Sequence, residues 1–315
     1  MVDIETIFGA VLPVFLLIGI GWFLRNRSVL TDAGEQNLMR LVVYLLYPCF
    51  TFEFVVGNPL LKDPVFVAEA GFCGFIAICF GCLVAFLVAP IFGLKDNWKR
   101  RTFGVSAGVY NFGYIAIPVA RLLFDAETIG VMLVVNAGVE FAIWTVGVMM
   151  LVGKLDFKSI RRAFNPPVIA LLVSTGLNFA GVDGYVPTFI NETIGMLAPC
   201  AIPIGLIMIG TAVYGLTSEI SFRQWQVPIG AVIVRLLILP LAFYTLLLFL
   251  PISEDIKRVF VVHAAMPTAV FPIVLAKFYG GSTTVAVQTI IPTNLISILT
   301  IPLWIQFAFY WLGLG

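Results

Sequence analysis

Ten apolar segments separated by short polar connections dominate the 315-residue sequence, at about 5–25, 36–57, 65–92, 101–124, 128–152, 166–181, 192–216, 226–250, 256–279 and 283–312. A helix that crosses the hydrocarbon core takes about 20 apolar residues, so ten spans would use most of the chain. Lipid offers the backbone no hydrogen-bonding partner, which limits a spanning chain to helices or a closed barrel. Segments of this length and continuity select helices. The expected fold class is an all-α membrane protein with ten transmembrane helices and the lipid bilayer as its surroundings. Charged residues make up only 11% of the chain, whereas a soluble domain carries about a quarter. The net charge of +1 leaves no basic footprint for nucleic acid.

The charges carry information by position. Odd-numbered connections hold Arg25, Arg27, Lys95, Lys99, Arg100, Arg101, Lys154, Lys158, Arg161, Arg162 and Arg223, while even-numbered ones hold Lys62, Lys257 and Arg258. The basic excess places the odd connections in the cytoplasm and both termini outside it. Asp3 and Glu5 precede the first apolar run and Arg25 and Arg27 follow it, the reverse of a signal peptide, so that run reads as a retained helix. The connection at 153–165 divides the chain into five helices (1–152) and five (166–315), which then run in opposite orientations.

Prolines suggest that these halves are copies. Pro13 and Pro167 are 154 positions apart, as are Pro118 and Pro272, and Pro48 falls within one residue of the same register with Pro203. Two inverted five-helix repeats are expected. Their fourth and ninth helices are interrupted, in Gly104-Val-Ser-Ala-Gly-Val-Tyr-Asn111-Phe-Gly-Tyr-Ile-Ala-Ile-Pro118 and in His263-Ala-Ala-Met-Pro-Thr268-Ala-Val-Phe-Pro272. Proline removes an amide donor and clashes with the preceding turn. Broken helices at corresponding places in inverted repeats are the pattern of a secondary transporter with its site near the midplane. If the breaks meet, two half-helix N-termini favour an anion there. Paired packing kinks are the simpler alternative.

The sequence as a whole resembles the auxin efflux carrier family, which includes the plant PIN-FORMED proteins and bacterial permeases. The likeness rests on Pro48-Cys-Phe-Thr-Phe-Glu-Phe-Val-Val-Gly-Asn58-Pro59, on Asn111 seven residues before Pro118, on Ile143-Trp144-Thr145, Asn165-Pro166, Arg235-Leu-Leu-Ile-Leu-Pro240 and Pro272-Ile-Val-Leu-Ala-Lys-Phe-Tyr279. The resemblance implies that helices four and nine cross at their prolines. It also implies a scaffold of helices 1, 2, 6 and 7, with helices 3–5 and 8–10 moving against it as an elevator. Efflux or exchange of small organic anions follows, such as auxin-like indole carboxylates or dicarboxylates including malate and malonate, through a homodimer. The missing long central loop marks a short-loop, bacterial-type member, in the cell (inner) membrane. Plant carriers have an acidic and basic pair early in helix three; here Glu69 stands near that place, followed by Cys73 and Gly74.

Carried over by position, the substrate-binding candidates are Asn111, Pro118 and Pro272, with Thr268, Cys49 and Thr51 beside them. Thr51 has the alternative of bonding back to its own helix. Charged groups inside spans cost about 2.5 to 3.5 kcal/mol at the centre. Arg121 and Lys277 lie near helix ends, where long side chains reach the interface. Glu140 and Arg235 sit deep at comparable depth. They could form a structural ion pair, or Arg235 could support the anion electrostatically while Glu140 couples transport to protons. A sodium- or proton-coupled symporter or antiporter of bile-acid-transporter-like crossover fold is the alternative function.

Gly104-Val-Ser106-Ala-Gly108 fits G-x-S-x-G and His263 is the only histidine. A nucleophile elbow needs a strand-to-helix turn, whereas this segment opens an apolar helix, so no enzyme is expected. Cys79-Phe-Gly-Cys82 lacks a second ligand pair, and no metal or cofactor is expected. Asn191-Glu-Thr193 is a formal glycosylation sequon.

Overall fold

The computed structural model describes residues 4–154, 157–216 and 225–313, which leaves Arg223 of the charge pattern outside the described residues. Those residues are almost entirely helical, and their only extended pairing is one antiparallel bridge.

Helix α1 (Ile4–Asn26) carries Pro13 within it. Helices α2 (Asp32–Leu41) and α3 (Tyr47–Val55) are joined by a π turn at Val42–Leu46, where the Tyr47 N–H reaches back to Val42. That wide turn directly precedes Pro48, whose ring would clash with the carbonyl four residues back in a regular helix. Helix α4 (Pro64–Val88) is followed by α5 (Asn97–Gly108) and α6 (Ala116–Leu123). Next come α7 (Ala126–Ala142), a π turn at Ile143–Gly147 and α8 (Val148–Val152). The short α9 (Phe157–Ala163) leads into α10 (Pro166–Ala180). Helices α11 (Thr188–Leu197) and α12 (Ala201–Leu216) form a continuous rod. Helices α13 (Gln226–Ile233) and α14 (Leu239–Phe249) flank a third π turn, Val234–Ile238, just before Pro240. The chain ends with α15 (Glu254–Ala265), α16 (Phe271–Phe278) and α17 (Thr283–Leu312).

Seven of these rods are long and apolar enough to cross a membrane: Ile7–Asn26, Asp32–Val55, Pro64–Phe92, Ala126–Val152, Thr188–Gly215, Gln226–Phe249 and Thr283–Leu312. The other three apolar segments of the sequence are the shorter Pro166–Ala180 and the interrupted pairs α5/α6 and α15/α16. Large apolar side chains such as Leu16, Phe72, Ile91 and Phe249 face outward. Polar ones, including Arg235, Ser106, Thr268 and Asn136, are buried. This is the arrangement expected where the solvent is hydrocarbon.

Helix α1 packs along α12, and α10 and α11 pack against α3. Helix α4 lies between α5 and α7, α15 lies on α7 and α14, and α17 joins α13, α5 and α1. The α4–α5 contact is backbone on backbone: a β-carbon on Gly81 would stand 2.8 Å from the Gly108 carbonyl oxygen, and one on Gly108 would stand 2.7 Å from the Gly81 carbonyl carbon. Small residues give this close approach. At the end of α3, Asn178 of α10 donates to the Val55 carbonyl at 2.7 Å and accepts from the Gly57 N–H at 2.8 Å, closing that helix terminus.

Candidate site at the crossing of two broken helices

The two interruptions meet. Helix α5 stops at Gly108, where Val109 turns extended (ψ 109°). Helix α15 stops at Ala265, and Met266 is extended (φ −70°, ψ 146°), as the following Pro267 requires. Residues 109–111 and 267–269 then run antiparallel. The Asn111 N–H donates to the Pro267 carbonyl at 2.8 Å, and the Ala269 N–H donates to the Val109 carbonyl at 2.9 Å. Each break thus supplies hydrogen bonds that the other lost.

Pro118 and Pro272 do not lie in the gaps. Both fall in the first turn of the following half-helix, where a missing amide costs nothing. Their effect is directed backward, because each ring clashes with the helical position of the carbonyl four residues before it, that of Tyr114 or Thr268. The Thr268 carbonyl, four residues before Pro272, accepts instead from Asn294 Nδ2 of α17 at 3.0 Å.

Both second halves begin here, and neither N-cap residue, Ile115 or Val270, offers a capping side chain. Asn111 Oδ1 accepts from the Ile115 N–H at 3.1 Å, so this carboxamide holds the turn into α6. Its Nδ2 donates to no side chain or carbonyl among the described residues. Thr268 is fully buried and its hydroxyl is 2.6 Å from that of Thr293. Thr51 donates to the Tyr47 carbonyl at 3.0 Å, the back-bonding role foreseen for it, and Cys49 is half-buried on the same helix. Phe112, Gly113, Tyr114, Val270 and Phe271 remain partly accessible around the two half-helix starts.

Arg235 does not pair with Glu140. From the π turn of α13/α14 its Nε donates to the Met266 carbonyl at 2.7 Å, and Nη2 donates to the carbonyls of His263 (3.0 Å) and Ala264 (3.1 Å). The guanidinium therefore closes the C-terminus of α15, the negative end of that half-helix. It also lies 5.3 Å from the centre of the Tyr110 ring, which in turn packs on His263 at 4.9 Å. Ser106 Oγ makes no hydrogen bond and lies inside α5, so no Ser–His pair is present.

Glu140 belongs to a different constellation, with Asn136 and Trp144 one turn to either side on the same helix face. Asn136 Nδ2 donates to the Phe112 carbonyl at 2.9 Å, while its buried Oδ1 has no partner. Trp144 Nε1 donates to Glu140 Oε2 at 3.0 Å, and its ring meets Phe271, the first residue of α16, edge-on at 5.4 Å. From α3, Tyr47 brings its ring to 6.2 Å from Tyr114, with its hydroxyl beside Gly113. Tyr47, Tyr114, Asn136, Trp144 and Phe271 were not singled out as site residues from sequence. The four-residue spacing of Asn136, Glu140 and Trp144 was the available signal; the aromatics looked like ordinary membrane-helix content.

An all-helical, multi-pass membrane protein with two opposed helix breaks buried in its interior has the organisation of a transporter. The family model described as "Membrane transport protein" matches residues 6–159 and 154–305, and the chain belongs to this family, that of the auxin efflux carriers. An uncharacterized transporter of Methanocaldococcus jannaschii is 27% identical over 307 residues, covering 93% of this chain and 96% of its own. An uncharacterized transporter of Methanothermobacter thermautotrophicus is 28% identical over 300 residues, with the same coverage.

Proposed function

We propose that the protein is a secondary carrier of small organic anions, by efflux or exchange, with the crossing of the broken helices as its binding locus. The observation that carries this reading is the bridge between residues 109–111 and 267–269, which joins the two helix breaks beside partly accessible residues. In this reading the N-terminal ends of α6 and α16 supply the positive potential for an anion, while Arg235 offsets the C-terminal end of α15 that stops at the same crossing. Asn111 adds an amide donor, Pro118 and Pro272 keep the helices interrupted, Thr268 fixes the frame, and Cys49 and Thr51 border it on α3.

In this reading the chain crosses the membrane ten times, α10 and the two broken pairs completing the seven long rods, as two inverted repeats of residues 1–152 and 166–315 around the 153–165 connection. The proline register at an offset of 154 supports the repeats. The termini lie outside the cytoplasm, in agreement with the basic residues of the odd connections. Helices 1, 2, 6 and 7 form a scaffold against which helices 3–5 and 8–10 move as an elevator. The packing of α1 on α12 and of α10 and α11 on α3 supports the scaffold, which meets the proposed moving group where α17 lies on α1 and α7 on α3. A homodimer in the cell membrane, driven by a proton or sodium gradient, completes the proposal.

Purified protein in liposomes should take up radiolabelled indole-3-acetate or malate saturably, and Asn111→Ala should abolish most of that flux. Absence of saturable uptake and binding for both compounds under every imposed gradient would overturn the anion assignment.

A further inference from the structure

A carboxylate, Glu140, stands on α7 close to the crossing. Glu140 lies midway along a face of α7 that touches both breaks, through Asn136 on the Phe112 carbonyl and Trp144 on Phe271. One helical turn rises about 5.4 Å, so Glu140 stands roughly one turn from each contact. Its surroundings can serve both protonation states. Trp144 Nε1 donates to the ionised group, Asn165 lies nearby, and Glu140 itself is half-buried.

Among the described residues no fixed cation pairs with Glu140. Arg235 is committed to the end of α15, and the described salt bridges involve other groups. The ionisable groups that interact with its carboxylate are Tyr47 from α3 and Tyr114 from the broken segment. Arg162 of α9 reaches the Trp144 ring at 5.8 Å. His263 on α15 packs on Tyr110, and Glu69 on α4 lies beside Cys73.

Resting on the carrier reading above, we propose that Glu140 is a proton-carrying site linked to the anion: empty, its carboxylate answers the two half-helix N-termini, and when a substrate carboxylate takes that place Glu140 binds a proton. Two negative charges in one partly buried site disfavour each other strongly, and a proton is the smallest relief. The proton comes from water on the side where the anion enters and leaves to water on the other side, so one proton accompanies each anion. The unsatisfied Asn136 Oδ1 can accept from a bound water or from an N–H or O–H elsewhere on the ligand, though not from its carboxylate.

The test is proton uptake on anion binding, read with a pH-sensitive dye in weakly buffered detergent solution with indole-3-acetate as the probe. Between about pH 6 and 8 the probe stays ionised, since carboxylic acids titrate near 4, so any proton is taken by the protein. The wild type should take up one proton per anion bound, and an inward proton gradient should accelerate uptake into liposomes. Glu140→Gln should bind the anion with no proton uptake and with affinity independent of pH, whereas Glu140→Asp should keep the uptake. Anion binding by the wild type without proton uptake would overturn the proton site and leave the carrier reading standing. Uptake preserved in Glu140→Gln would also overturn it. Failure of the wild type to bind any anion would remove both.

Discussion

At the residue scale the sharpest contrast is between Arg235 and Glu140, two deep charges that the sequence presents as equals. Arg235 holds three carbonyls at the end of α15, a task for a planar fork of donors rather than for a point charge. Arg235→Met would leave those carbonyls unpaired in a buried place, and we expect a loss of about 2 to 4 kcal/mol in stability. Arg235→Lys should recover only a minor part of it, and thermal unfolding in detergent measures both. That a charge sat at this depth was legible in the sequence. Its partners were not, because main-chain carbonyls have no signature in residue types. Asn111 shows the same limit: its place beside the break could be read, whereas its grip on the Ile115 N–H depends on where the helix restarts.

At the scale of elements, the sequence located the breaks through Pro118 and Pro272, yet the interruptions occupy 109–115 and 266–270. Proline marks what a helix cannot continue through, and the disruption falls upstream of it. Of the π turns, two carry a similar marker in Pro48 and Pro240, whereas nothing comparable follows the one at Ile143–Gly147. Caps were more legible. Asp125 begins α7 by accepting from the Thr128 N–H at 2.8 Å and the Thr128 hydroxyl at 2.6 Å, and these hydrogen bonds hold its carboxyl below the usual carboxylate range. Its folded-state value is depressed, so its contribution is complete above the usual carboxylate range and fades as pH falls through the lowered value. Asp125→Asn should therefore lower the unfolding temperature at neutral pH, with the difference shrinking below about pH 4, as unfolding scans across pH would report.

At the scale of the whole molecule, the all-helical membrane architecture was legible because hydrocarbon permits so few alternatives. That the two broken segments meet was implied only by the resemblance, since apolar surfaces of many shapes look alike in one sequence. One contact between the two packing groups invites a test of the proposed motion. Tyr114 beside the crossing rests on Gly205 of α12, where a β-carbon would stand 3.1 Å from the ring Cζ and closer still to its edge. Gly205→Ala should overpack this contact at a cost of about 1 to 3 kcal/mol, lowering the unfolding temperature of the purified variant in detergent and reducing maximal flux in liposomes. The bridge at the crossing also joins Tyr110 to Thr268, residues 158 positions apart. A ribosome adds about 5–20 residues per second, so the first break enters the bilayer on the order of ten seconds before its complement exists. Through that interval the Val109 carbonyl and the Asn111 N–H need a temporary partner at the insertion machinery, which makes the nascent first half of this protein a client and its second half the cofactor for its own completion.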